Sequence, residues 1–527
     1  MKSSKLFNLS VSHTSFTIIF TTLLFVITNA LNFDKIAKWF YLGDSLEYSA
    51  LIAYLVLGLS LFMVFFILLA HRSTIKPLAI FITILSAAVT YFISKYNVAI
   101  DRSMLMNAVY TDSSEVTGLL SVQMIPYVIF LMVLPVLLIL SVKITFKSPA
   151  RYLFSSVKLA VLAFVIGVSS LYAKFDSIHR AGNISEKYII HSLVPVNFLR
   201  SIVISVSRTI EPLYASNRKE VVITGSVTSE DDLLVVLVIG ETARQKSFSL
   251  YGYDRKNTNP VLSKEEDLYL LNGIARKGTT LYALPEILEK NDIKLPAITS
   301  KLGIDTSCYV NYSLYDNCTS VGEVEVSNCG HGGKCYDEDV LPLLDNNLKS
   351  YSSGHRFVVL HLGGGSHGPI YRDRHPEEFQ IFKPMCLDAD VVNQCTVEEL
   401  YNSYDNTILY TDFVLGEIIN RLEHSEAPYV FIYLSDHGES LMENGRIFHG
   451  MPPGIPLPAE QAQIPLIVKS SVPISIIERE EYLQQDVFDT VLDLFSIESE
   501  GFDKEGSFIK KNITDNNFVE AVEKNSD

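Results

Sequence analysis

The sequence predicts two bodies in one chain: a bundle of five transmembrane helices, then an α/β domain with helices on both faces of a parallel sheet. Three observations carry this expectation. Apolar runs of near-bilayer length are confined to residues 1–175, within a chain of 527 residues that is 48% hydrophobic. Short apolar strands alternate with helical patterns in the remainder, the signature of an α/β sandwich. Charge divides in the same place: residues 1–175 carry a net +7 and 176–527 a net −23, within a chain total of −16. A basic membrane half joined to an acidic soluble half points away from nucleic acid as a partner.

The apolar runs cover about 15–33, 50–70, 77–94, 124–142 and 157–173, each near the roughly 20 residues needed to cross a bilayer core. The first is too long, and too soon followed by a second, to be a cleaved signal peptide. Lys2 and Lys5, then His71, Arg72 and Lys76, then Lys143, Lys147 and Arg151 fall on one side of the membrane, whereas the opposite loops mix signs. The positive-inside rule therefore sets the N-terminus in the cytoplasm, and five crossings put everything after about 175 outside. All six cysteines lie in that outer half, as three close pairs: Cys308 and Cys318, Cys329 and Cys335, Cys386 and Cys395. Close pairs suggest disulfides in an oxidising compartment. The expected divisions are a transmembrane domain at 1–175, an interfacial linker at 176–228 and a catalytic α/β domain at 229–527. Asn107, Thr111 and Glu115, in the outer loop between spans three and four, share one helix face by their i, i+4, i+8 spacing. Spacing alone makes that face a solvated one.

In the soluble half, Leu233–Ile239, Phe357–Leu362 and Tyr429–Leu434 are short and apolar, as strands buried on both faces must be. Leu400–Leu422 is near-periodic for a helix. A polar stretch succeeds each strand: Gly240-Glu-Thr-Ala-Arg244, then Gly363-Gly-Gly-Ser-His367, then Ser435-Asp-His-Gly-Glu439, with His449 in the loop after. Ligand sites of such folds lie beyond the carboxyl ends of the strands. Glu241, His367, Asp436, His437 and His449 are therefore candidate metal-site residues, an oxygen and imidazole set that suits zinc and accepts manganese. Gly278-Thr279-Thr280 before an apolar stretch reads as a loop entering a helix N-terminus. Such a terminus favours a bound phosphate, and a hydroxyl beside a divalent cation ionises more easily.

These motifs together resemble the lipid A phosphoethanolamine transferases, of the alkaline phosphatase/sulfatase superfamily. The likeness rests on Gly240–Arg244 with Phe248–Arg255, Gly365–Tyr371, Tyr404–Asp412, and Ser435–Leu441 through His449-Gly-Met-Pro452. It implies a Gram-negative inner-membrane enzyme with a periplasmic catalytic domain, a zinc held by Glu241, Asp436, His437 and a nucleophilic threonine, and His367 and His449 lining the phosphoryl site with room for a second zinc. It also implies phosphoethanolamine contacts from Asn107, Thr111 and Glu115, and disulfides Cys329–Cys335 and Cys386–Cys395. The donor would be phosphatidylethanolamine and the acceptor lipid A or lipopolysaccharide, served by a monomer. An added amine would offset phosphate charge that polymyxins bind. The family pattern Cys-Gly-Thr-x-Thr-Ala is here Lys277-Gly-Thr-Thr-Leu281, one residue shorter. Counting from Gly278 makes Thr279 the nucleophile, the preferred count; counting back from Pro285 makes it Thr280. The family's Asn-rich, Lys-containing substrate stretch has no match in 295–320. A rival reading keeps the fold and makes the enzyme a phosphohydrolase, or a glycerophosphoryl or phosphoethanolamine transferase acting on glycans.

Overall fold

A computed structural model describes residues 10–96, 98, 100–102, 104–106, 121–185, 188–214, 225–229, 231–310, 318, 323–326, 336–363, 371–388, 390–451, 455–499 and 502–511. The chain forms two compact units: Met1–Arg218 with Met442–Pro456, and Lys219–Leu441 with Leu457–Asp527. The segment 442–456 interrupts the second unit in sequence and belongs to the first.

In that unit, five helices among the described residues are long and apolar enough to cross a membrane: α1 (His13–Ala30), α2 (Tyr48–Leu69), α3 (Ile75–Tyr96), α4 (Met124–Ser141) and α5 (Pro149–Ala173). The protein is a multi-pass membrane protein. Polar groups inside an apolar medium are costly unless they find partners within the protein, and several buried ones do. The hydroxyls of Thr21, Thr28 and Thr83 donate to the carbonyls of Thr17, Leu24 and Ala79 at 2.7–2.8 Å. Buried Asn29 both donates to the Val194 carbonyl (2.6 Å) and accepts from its N–H (3.1 Å), tying the end of α1 to the connector. In the 442–456 segment, the Phe448 ring packs 5.1 Å from that of Tyr96, and Arg446 lies 5.6 Å over Tyr188.

The second unit is organised by an eight-stranded sheet: β1 (Leu233–Gly240), β2 (Tyr269–Ile274), β3 (Asp305–Val310), β4 (Glu323–Val326), β5 (His355–His361), β6 (Tyr429–Ser435), β7 (Gln463–Ser470) and β8 (Tyr482–Leu483). Their order is β4-β3-β5-β1-β6-β7-β2-β8. The run from β4 to β6 is parallel, and β7 is antiparallel to both neighbours, so the sheet is mixed rather than wholly parallel. Every residue of Leu233–Ile239 is at most 1% exposed, which is why the run has no polar alternation. Leu233, Val235, Leu237 and Ile239 share one core with Leu284, Ile287 and Leu288 of α6 (Thr280–Leu288) and Val487, Phe488 and Val491 of α7 (Asp486–Leu494). Leu234, Val236 and Val238 are as deeply buried, so the other face is covered too.

The long helix Val397–His424 starts at a capping box. The Thr396 hydroxyl accepts from the Glu399 N–H, and the Glu399 carboxylate accepts from the Thr396 N–H. Disulfides join Cys386 to Cys395 and Cys308 to Cys318; Cys329 and Cys335 lie outside the described residues.

Candidate active site

Strand register builds the site. Leu434 and Ser435 of β6 pair with Ile239 and Gly240 of β1, so the next residues along each strand, Asp436 and Glu241, leave the sheet side by side at its carboxyl edge. The Asp436 N–H donates to the Gly240 carbonyl at 2.9 Å, extending the ladder one step. Two glycines permit the close approach. A Cβ on Gly240 would meet the Tyr433 hydroxyl at 2.6 Å, and one on Gly438 would meet the Glu460 carbonyl oxygen at 2.2 Å.

Glu241, Asp436 and His437 are 5%, 0% and 0% exposed, and each offers a ligand atom within 4.8 Å of the others. His437 Nδ1 faces the Gly438 carbonyl at 3.1 Å. A carbonyl only accepts, so the proton sits on Nδ1 and the Nε2 lone pair points at the carboxylates. It lies 3.2 Å from Asp436 Oδ2 and 3.8 Å from Glu241 Oε1. Two carboxylates buried this closely repel one another and cost several kcal/mol to desolvate. A divalent cation is the partner that this donor set fits.

The two carboxylates are held by different groups. Asp436 Oδ1 accepts from the backbone N–H of Thr242 (2.9 Å) and of His437 (2.7 Å). Glu241 accepts from hydroxyls: Thr242 at 2.5 Å, and Thr280 at 3.2 and 3.1 Å to its two oxygens. Thr280 is the first residue of α6, and Thr279 is its N-cap. The hydroxyl on the candidate metal ligand is thus that of Thr280, not that of Thr279, the residue reached by counting from Gly278.

Around this set, fully buried Arg244 donates through Nε to the Ser247 hydroxyl (2.8 Å) and stacks on Tyr401 and Tyr404 at 5.0 and 5.3 Å. Gln484 donates to the carbonyls of Ser435 (3.0 Å) and Asp436, and the Gln461 carbonyl accepts from the Gly438 N–H at 2.9 Å. None of Thr242, Tyr404, Gln461 or Gln484 was singled out by the sequence pattern as a site residue. Tyr404 reads there as a helix position at the head of the Tyr404–Asp412 motif, with no role attached, and Gln484 lies outside every motif. Of the other expected site residues, His367, Asn107, Thr111 and Glu115 lie outside the described residues. His449 belongs to the 442–456 segment of the first unit, directly after Phe448.

Comparison with known proteins agrees with this architecture. The family described as phosphoethanolamine transferase EptA/EptB matches residues 58–210, and the sulfatase family matches 290–497. Phosphoethanolamine transferase EptA of Helicobacter pylori is 35% identical, over 81% of this chain and 83% of the relative. Phosphatidylethanolamine transferase Mcr-1 of Escherichia coli is 28% identical over 91% and 94%. The solved structure of the integral membrane lipooligosaccharide phosphoethanolamine transferase A of Neisseria meningitidis superposes with a TM-score of 0.81 at 26% identity, covering 95% of this chain and 98% of that one. The class is therefore a membrane protein carrying a domain of the alkaline phosphatase/sulfatase superfamily. Within that class, the chain belongs to the phosphoethanolamine transferase family.

Proposed function

We propose that the protein transfers phosphoethanolamine from phosphatidylethanolamine to lipid A, or to the inner core of lipopolysaccharide, through a covalent intermediate on Thr280. The carrying observation is the Thr280 hydroxyl within 3.2 Å of both oxygens of Glu241, beside Asp436 and His437. The names of the relatives support the substrate class.

In this reading Glu241, Asp436, His437 and Thr280 hold zinc, with manganese an acceptable substitute and a second zinc near His367 and His449. A divalent ion bound there supplies positive charge that eases ionisation of a hydroxyl and stabilises the phosphoryl oxygens. Glu241 takes the hydrogen bond of the Thr280 hydroxyl and so orients its oxygen towards phosphorus. The Thr280 O–P bond forms as the bond from phosphorus to the diacylglycerol oxygen breaks, and that oxygen takes a proton. An acceptor phosphate or hydroxyl oxygen of lipid A or the core then attacks phosphorus, and the threonine oxygen leaves and is reprotonated. The N-terminus of α6 favours the phosphoryl charge in both steps. His367 or His449, which by family resemblance line the phosphoryl site, donates the proton to the leaving oxygen as a general acid, and the same resemblance supports headgroup contact by Asn107, Thr111 and Glu115. A cytoplasmic N-terminus follows from the positive-inside rule, and the family resemblance makes the outer side the periplasm.

The test is mass spectrometry of lipid A and core from a plain Gram-negative host expressing the wild type or Thr280→Val. A phosphoethanolamine mass is expected with the wild type only. Release of phosphate or headgroup without any modified lipopolysaccharide would overturn the transfer reading in favour of hydrolysis.

A further inference from the structure

Thr242 sits between the two candidate ligand carboxylates in a conformation that a β-branched residue rarely adopts. Its φ is +58°, in the left-handed region where the side chain of an L-residue crowds its own backbone. Such outliers persist only where the surroundings over-determine them, and they gather at functional sites. Here the surroundings are explicit. Thr242 is fully buried. Its N–H donates to Asp436 Oδ1 at 2.9 Å, and its hydroxyl donates to Glu241 Oε1 at 2.5 Å. Its carbonyl accepts from the Tyr404 hydroxyl at 2.8 Å, and that same hydroxyl accepts from the Arg244 N–H at 3.0 Å. One strained residue thus bridges both carboxylates and is pinned from behind by a buried tyrosine of the long helix.

We infer that Thr242, clamped by Tyr404, is a positioning residue that fixes the orientation of the Glu241 and Asp436 carboxylates for a divalent cation, at the expense of backbone strain. Each of its three polar groups has one task. The N–H occupies Asp436 Oδ1 and turns Oδ2 towards His437 Nε2, 3.2 Å away. The hydroxyl holds Glu241 beside Thr280. The carbonyl, caught by Tyr404, keeps the turn left-handed. Groups that orient metal ligands typically change metal affinity by about 10–100-fold when removed. This inference rests on the metal reading above.

The experiment uses the full-length protein in detergent and zinc alone as the probe. It measures zinc affinity by competition with a chelator, and separately the melting temperature of the metal-free form. Thr242→Val keeps the shape and the strain but loses the hydroxyl; it should bind zinc at least about 10-fold more weakly. Thr242→Ser restores the hydroxyl and should return to within about 3-fold of wild type, the rescue that a purely structural role does not require. Thr242→Gly accepts positive φ without strain. Its metal-free form should melt no lower than that of Thr242→Val, although its zinc affinity is equally reduced. Tyr404→Phe should weaken zinc binding in the same direction. Wild-type zinc affinity in both Thr242→Val and Thr242→Gly would overturn the inference while leaving the metal site standing. No zinc binding by the wild type would overturn both, which keeps the two failures distinguishable.

Discussion

Glu241 and Asp436 end adjacent strands, and the contrast between them shows how the site divides its tolerance to change. Asp436 is held by backbone: its Oδ1 takes two N–H donors, and its own N–H continues the ladder to Gly240. No side-chain substitution removes those donors. Glu241 is held by hydroxyls of two threonines, one of which is also the candidate nucleophile. The Asp436 side is a rigid consequence of the fold, whereas the Glu241 side is a consequence of side-chain identity.

That contrast can be broken or sharpened in four ways, of decreasing effect. The largest is expected at the hydroxyl shared with Glu241: Thr280→Val should lower transfer by roughly 1,000-fold or more, and Thr279→Val by less than about 10-fold, in a lipid-headgroup transfer assay. Next, Asp436→Asn should lose more zinc affinity than Glu241→Gln, with the larger loss at least about 10-fold. In the first variant, the two backbone N–H groups force the carbonyl of the new amide towards themselves and turn its NH2 to the metal side. In the second, the surrounding threonine hydroxyls can instead accept from the amide NH2, leaving its carbonyl for the metal. Chelator competition reads both, and equal losses would dissolve the contrast.

Third, Gln484→Ala removes the donors to the carbonyls of Ser435 and Asp436 and should destabilise the protein by about 1–3 kcal/mol in denaturant unfolding. The fourth effect, nil at neutral pH, concerns His361, at the end of β5. Burial, at 4% exposure, depresses its pKa to about 4. An unfolded histidine titrates near 6.5, so the unfolded chain binds the extra proton first. The stability that His361 contributes is therefore full above pH 6.5 and is lost as pH falls towards 4, by at most about 1.4 kcal/mol per pH unit. Melting curves across that window should flatten in His361→Phe.

How much of this was legible in the sequence depends on the same physics. An apolar strand running straight into Asp-His announces its own end, and parallel strands deliver their ends to one edge. Asp436, His437 and Glu241 could therefore be read before any coordinates. The five spans were legible because bilayer thickness sets their length, and the helix at 397–424 because its buried residues keep helical period. The antiparallel β7 was not legible, since a short buried strand looks the same in either direction. The threonine register was also hidden: where α6 begins depends on how a shortened loop closes, not on residue type. The roles of Thr242, Tyr404 and Gln484 were hidden for a further reason. They depend on a backbone angle and on chain segments up to 194 positions apart, and neither leaves a local pattern.

The most direct test of the account is peptide mass spectrometry of the purified protein after brief exposure to phosphatidylethanolamine without acceptor. The account predicts one phosphoethanolamine group on Thr280, with none on Thr279. A modified Thr279, or acceptor-dependent transfer that persists in full in a variant lacking both threonines, would contradict it.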